Sequence, residues 1–218
     1  MGTQIERYPC AVLGAGKILD YSRVASFIAP GAFVVCADGG LVHCGALSLS
    51  PGLLIGDFDS LDGTAHSDIS RILLSPDKNY TDSFYAVNHA LVRGYTRMLL
   101  TGMLGGRLDH TLANFQLLAR LAGEGVSALL TDGVTDAYAL SGEGELLLPC
   151  REGCYFSLFA LENCQGVTIT GGKYPLDEYP LRVDDPRAVS NEFAGEDVLI
   201  TQGSGLLIAL SCPIDNAE

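Results

Sequence analysis

Leu53-Leu54-Ile55-Gly56-Asp57-Phe58-Asp59-Ser60 is the stretch on which the reading of this chain turns. An apolar run long enough for a buried strand ends in a glycine, and two carboxylates follow at a spacing of two. Strand side chains repeat every second residue, so in an extended chain Asp57 and Asp59 point to the same side. Two carboxylates held together repel each other unless a cation lies between them. Hard oxygen ligands of this kind suit magnesium or calcium, and magnesium usually brings a polyphosphate. Taken alone, the pair is more simply a polar turn, since Asp and Ser are ordinary turn formers.

Outward from that stretch, short apolar runs alternate with helix-like segments. Cys10–Leu13 leads into Gly14-Ala15-Gly16, Phe33–Cys36 into Ala37-Asp38-Gly39-Gly40, and Arg71–Leu74 into Ser75-Pro76-Asp77-Lys78. Arg97–Leu100 leads into Thr101-Gly102, and Ser127–Leu130 into Thr131-Asp132-Gly133. Apolar residues at helical spacing mark Asp82–Arg93 and Leu108–Ala122. Alternation on this scale predicts βαβ units and a mostly parallel sheet with flanking helices. Ligands of such sheets bind beyond the carboxyl ends of the strands, where this chain places Gly, Asp, Lys and Thr.

After about Gly142 the helical period disappears. Leu146–Leu148, Tyr155–Ala160, Val167–Thr170, Val198–Thr201 and Leu206–Leu210 are β-rich and separated by turn residues such as Gly171-Gly172 and Asp185-Pro186. This predicts a C-terminal antiparallel β-sandwich over residues 143–218, following an α/β domain over residues 1–142.

Composition excludes some functions. With 48% hydrophobic and 18% charged residues, the 218-residue chain is of the folded globular kind. A formal charge of −13 leaves no basic stripe for nucleic acid. No apolar run approaches a membrane span, and no secretory signal precedes the seven cysteines. A cytoplasmic protein with reduced, mostly core thiols is expected. Cys150, Cys154 and Cys164 lack the Cys-x-x-Cys spacing or nearby His of a zinc site.

Gly14-Ala15-Gly16-Lys17 fits neither the Walker loop, having Ala11 and Ile18 at its Gly and Ser/Thr positions, nor the dinucleotide fingerprint, which Leu19 breaks. It reads as a tight turn near a ligand. Thr81 reads as the N-cap of a helix with Asp82 in its first turn, and Lys78 just before it is within reach of a phosphate. Gly105 and Gly106 allow close approach of a ligand, Arg107 offers a fork of donors, and Asp109 and His110 open the next helix. Ser190-Asn191-Glu192 is, on physics alone, a polar turn.

In this order the pieces resemble thiamine pyrophosphokinases: Asp38-Gly39-Gly40, Gly56–Ser60, Lys78 with Thr81-Asp82, Gly105–Asn114, Gly172-Lys173-Tyr174 and Ser190-Asn191-Glu192. The resemblance covers nearly the whole chain. It implies Mg2+, ATP as co-substrate, pyrophosphoryl transfer to the thiamine hydroxyl with AMP leaving, and a homodimer with thiamine near the subunit interface. It implies Asp57, Asp59 and Asp82 as metal ligands, and these with Arg107 as the catalytic set. Asp38, Gly39, Lys78, Arg107, Asp109 and His110 would contact ATP, while Thr81, Asp82, Ser190 and Asn191 would face thiamine. Asp82 is the first candidate to accept the hydroxyl proton. Two departures stand out: Asn79 and Tyr80 replace an expected acid beside Lys78, and no tryptophan stacks on thiamine near Leu207 and Ile208.

Two other readings compete. A haloacid-dehalogenase-like phosphatase would use Asp57 as nucleophile, although Gly56 separates it from the strand and no late paired acids appear. A non-catalytic small-ligand module would bind without consuming ATP.

Overall fold

The computed structural model describes residues 6–57, 69–75 and 77–214. Asp59 therefore lies outside the described residues, as do Phe58 and Ser60. The chain divides into two compact units, the first drawn from residues 4–117 with 126–133 and the second from 118–125 with 134–218.

The first unit carries β1 (Tyr8–Leu13), α1 (Tyr21–Ser26), β2 (Ile28–Ala37), a 3-10 turn (Asp38–Leu41), α2 (Val42–Leu47) and β3 (Leu53–Gly56). β4 (Arg71–Leu73), α3 (Asp82–Val92), β5 (Arg97–Thr101), α4 (Leu108–Gly123) and β6 (Ser127–Thr131) follow, the last turns of α4 packing with the second unit. The strands pair in the order β6-β5-β1-β2-β3-β4, every pair parallel. Cys10–Leu13 and Leu99–Leu100 are fully buried, which is why these strands read as unbroken apolar runs.

Register decides what happens at the strand ends. Leu13 pairs with Cys36 on one side and Thr101 on the other, Ala37 pairs with Ile55, and Gly56 with Leu73. The residues that follow, Gly14, Asp38, Asp57 and Gly102, consequently emerge along one edge of the sheet. Strand order reverses direction between β1 and β5, and a crevice opens at such a switch point.

The second unit is all β apart from the end of α4: β7 (Asp136–Ser141), β8 (Gly144–Leu148), β9 (Cys154–Ala160), β10 (Val167–Thr170), β11 (Leu176–Tyr179), β12 (Asn191–Glu192), β13 (Val198–Gln202) and β14 (Leu206–Pro213). Antiparallel pairing gives the orders β12-β9-β14-β7 and β11-β10-β13-β8. Phe156, Leu158, Val167, Ile200 and Leu207 meet in its core, each at most 1% exposed. Leu207 and Ile208 belong to that buried strand interior.

Some elements differ from the sequence expectation. β2 begins five residues earlier than its apolar run, through Pro30-Gly31, and the β1–β2 register slips between Tyr8 and Cys10 to absorb them. Proline and glycine inside a strand mask it, because one lacks a donor and the other a side chain. Asn191 and Glu192 form β12 against Phe156 and Tyr155 rather than a turn. β7 lies on the N-terminal side of the expected 142/143 boundary and packs with the second unit. All seven cysteines are free, Cys150 alone being exposed. Among the described residues no helix is long and apolar enough to cross a membrane.

Candidate active site

A cavity of about 490 Å3 occupies the switch-point edge of the first unit, within the range typical of small-molecule sites. The loops after β1 and β5 form one wall through Gly14, Ala15, Gly16 and Gly102–Arg107, while Asp38, Lys78, Thr81, Asp82, His110 and Asn114 complete it.

The glycine wall depends on very close backbone approach. Gly14 N–H donates to the Thr101 carbonyl at 2.8 Å and Gly16 N–H to the Gly102 carbonyl at 2.7 Å. A Cβ on Gly16 would sit 2.7 Å from the Gly102 oxygen. Gly102 has φ +66° and a Cβ there would run into the Gly14 carbonyl, so this position requires glycine both sterically and conformationally. Gly39 packs on the same loop, since a Cβ on it would lie 3.1 Å from that of Ala15.

Asp38 opens the 3-10 turn with φ +48°, a left-handed conformation disfavoured for a residue with a side chain. Such strain is concentrated at functional positions. Gly56 backs onto it, with space for a Cβ only 3.0 Å from the Asp38 Cα.

Opposite the glycine wall, Thr81 caps α3 by accepting a hydrogen bond from Phe84 N–H at 3.2 Å. Capping sets the direction of Asp82 in the first turn. Its Oδ1 lies 2.9 Å from Lys78 Nζ, and Asp57 Oδ2 lies 3.8 Å from the same ammonium. The Oδ1 atom is closed off from water and makes no well-angled hydrogen bond, so the contact is an ion pair with Lys78 rather than a directed bond. Burial of Lys78 works against its charge. The Asp82 carboxylate in close contact, with the charges of Asp57 and Asp38 adding, outweighs that and raises its pKa above the ordinary lysine value.

Arg107 projects into water at 73% exposure and grips Asp109 with both ends of its fork, at 2.6 and 3.2 Å. Asp109 Oδ1 also accepts from His110 N–H at 2.9 Å. The Arg107 hydrogen bonds hold Asp109 below the usual carboxylate range and Arg107 above its own. Asn114, 7% exposed, donates to the Met103 carbonyl at 2.8 Å and holds the loop after β5 in place.

The structure thus brings together Asp38, Lys78, Thr81, Asp82, Arg107 and His110 around one cavity. Gly39, Asp57 and Asp109 touch the residues that line it. Ser190 and Asn191 belong to the second unit. Ser190 is exposed, has φ +58° and donates its N–H to Ser157 Oγ at 2.9 Å. Asn191 is 3% exposed and spends its amide on Tyr174, accepting from its N–H at 3.0 Å and donating to its carbonyl at 2.7 Å. The side chain of Tyr174 is left 55% exposed. Among the described residues, no group of three or more His, Cys, Asp or Glu converges closely enough to hold a metal ion, a count that omits Asp59.

Sequence reasoning placed Gly14–Gly16 near a ligand and gave Gly102 only as a strand end, missing Met103; the parallel pairing of β1 with β5 brings both alongside that turn. Within the Gly105–Asn114 motif, the inward-facing role of Asn114 is decided by one helical turn of spacing from His110.

Comparison with known proteins identifies the family. The thiamin pyrophosphokinase catalytic-domain model matches residues 24–130, and the thiamin pyrophosphokinase vitamin B1 binding-domain model matches residues 145–207. Thiamine pyrophosphokinase of Bacillus subtilis is 26% identical over 180 residues, covering 79% of this chain and 84% of that protein. Thiamin pyrophosphokinase 1 of Caenorhabditis elegans is 23% identical over 170 residues, covering 73% and 70%. The crystal structure of the Bacillus subtilis enzyme shares the fold with a TM-score of 0.82 at 23% identity, over 94% of this chain and 99% of that one. With the models of both domains matched in order along most of its length, the chain belongs to the thiamin pyrophosphokinase family.

Proposed function

We propose that this chain transfers the pyrophosphoryl group of ATP to the hydroxyl of thiamine, using Mg2+, and works as a homodimer in the cytoplasm. The observation that carries the reading is the convergence of Asp57 and Asp82 on the Lys78 ammonium, at one wall of a cavity built from two glycine loops.

The donor set fits magnesium. Asp57 and Asp82 are hard carboxylate ligands that already share one cation, and Asp59, outside the described residues, is the third expected ligand. When bound, the metal neutralises charge on the transferring phosphates. The chain's own residues do the rest. The glycine loops let the backbone approach the polyphosphate, with Asp38 and Gly39 beside them. Lys78 stands at the N-terminus of α3, itself favourable for anions, and Arg107 is free in solvent to exchange Asp109 for a phosphate. His110 completes the nucleotide side of the cavity.

In the reaction the thiamine oxygen bonds to the β-phosphorus, the bond from that phosphorus to the α,β-bridging oxygen breaks, and AMP leaves. Asp82 is the candidate to take the hydroxyl proton, with Thr81 orienting the acceptor. The family resemblance also assigns Ser190 and Asn191 to thiamine. Asn191 would act there through Tyr174, whose backbone it holds. Catalysis of this type rests on orientation and charge stabilisation.

Incubation with ATP, Mg2+ and thiamine tests the reading. AMP and thiamine diphosphate in equal amounts are expected, with no AMP when thiamine is omitted. ADP in place of AMP, or phosphate release without acceptor, would refute it.

A further inference from the structure

His43 is a buried imidazole for which the proposed reaction has no use. It is 5% exposed and sits in α2, immediately after the turn that carries Asp38. Its Nε2 lies 2.8 Å from the Gly16 carbonyl and its Nδ1 lies 2.8 Å from the Tyr21 hydroxyl. A carbonyl only accepts, so Nε2 carries the hydrogen. With that hydrogen on Nε2, Nδ1 is left to accept from the Tyr21 hydroxyl, so the two bonds call for the same tautomer. Three elements meet at this ring: α1 through Tyr21, α2 through His43 itself, and the loop after β1 through Gly16.

Gly16 lines the cavity, and both ends of its peptide environment are committed. Its N–H goes to Gly102 and its carbonyl goes to His43. Removing the imidazole would leave the half-buried Gly16 carbonyl without this partner, at one of the two loops where the backbone approaches a ligand closely. The ring also ties this loop to the 3-10 turn, since Asp38 and His43 are five residues apart on one short, continuous helical stretch.

We propose that His43 is a positioning residue for the nucleotide side of the reaction: held by Tyr21, it clamps the Gly14–Gly16 loop at the spacing from Asp38 that the polyphosphate of ATP requires. It touches no substrate. The inference rests on the reading of the cavity as an ATP site, and it predicts an effect on one substrate and not the other.

The test compares His43→Ala, His43→Gln and Tyr21→Phe with the unmodified chain, measuring kcat, both KM values and the melting temperature. A loosened loop raises KM for ATP about tenfold in His43→Ala, with KM for thiamine and saturating kcat little changed. Glutamine carries an amide N–H to roughly where Nε2 lies, so His43→Gln restores most of the ATP affinity. Tyr21→Phe, which only unfixes the ring, gives a smaller rise in the same parameter. Unchanged KM for ATP in His43→Ala and Tyr21→Phe, a rise in His43→Gln as large as in His43→Ala, or a kcat that falls and a KM for thiamine that rises in step with KM for ATP, would overturn the proposal. If the Ala variant fails to fold, Tyr21→Phe decides, an unchanged KM for ATP there overturning the proposal. Calorimetric titration with Mg2+ and ATP separates the two levels of inference. Loss of ATP affinity in the variants supports the clamp even if the unmodified chain makes no AMP.

Discussion

Two ion pairs of similar length stand at strand ends of the first unit and behave as different devices. Lys78–Asp82 spans 2.9 Å with side chains only 13% and 22% exposed; Arg107–Asp109 spans 2.6 Å with 73% and 64% exposed. Coulomb attraction depends on what surrounds the charges as much as on their separation. Around Arg107 and Asp109 water screens the pair, so exchanging Asp109 for another anion changes the energy little. Around Lys78 water is mostly excluded, and removal of one partner leaves the others uncompensated. The first arrangement suits a group that changes partner during binding, and the second suits a fixed cation among fixed carboxylates.

The sharpest challenge to that contrast is at the carboxylates expected to hold the metal. Asp57→Asn and Asp59→Asn are expected to lower kcat by on the order of 10³-fold, with the far-ultraviolet circular dichroism spectrum unchanged. Near-normal turnover in either would remove the metal assignment.

Lys78→Met comes next, with a loss of about 10²-fold in kcat/KM and a lower melting temperature at neutral pH. The pH dependence follows from the raised pKa of Lys78. A raised lysine pKa contributes stability that is complete below the unfolded value of about 10.5 and lost as pH rises through the folded value. The melting temperatures of Lys78→Met and the unmodified chain should therefore draw together only in strongly alkaline buffer. A gap that closed between pH 6 and 9 would contradict this.

Arg107→Ala should raise KM for ATP about tenfold while the melting temperature stays within about 1 °C. A large drop in stability would show that the exposed pair is structural after all. The smallest effect is expected from Asp109→Asn. The Asp109 pKa is depressed by Arg107, so its contribution is present above the ordinary Asp range and disappears as pH falls through the folded value. The difference in melting temperature from the unmodified chain should be slight at pH 7, vanish in acid, and vanish in 1 M salt.

Much of the site could be read before the fold was known, because local rules act over a few residues. The capping of α3 by Thr81 with Asp82 behind it depends on a four-residue spacing, and so does the opening of α4 after Gly105-Gly106-Arg107. The alternation of apolar runs with helical segments likewise dictated a parallel sheet with polar strand ends. Where the reading fell short, long-range contacts were in control. Asn191 looked like a turn residue, yet its amide pairs with a backbone 17 residues away and its strand pairs with β9. The apolar run marked β2 only from Phe33, whereas pairing of Tyr8 with Ile28 extends it back across Pro30-Gly31.

His43 shows the same limit more plainly. Nothing in its own neighbourhood, between Val42 and Cys44, distinguishes it from an ordinary buried histidine. Its partners come from residues 22 and 27 positions earlier in the chain.

The sequence alone determined the fold class, the order of the motifs and the family resemblance, since periodicity, capping and residue type need no partner at a distance. Only the tertiary structure decided which of the Asp57, Lys78, Asp82, Arg107 and Asp109 charges are shielded from water and which lie exposed to it. Burial, and with it the strength of every one of those interactions, is created when strands far apart in the chain bring their ends to one edge of the sheet.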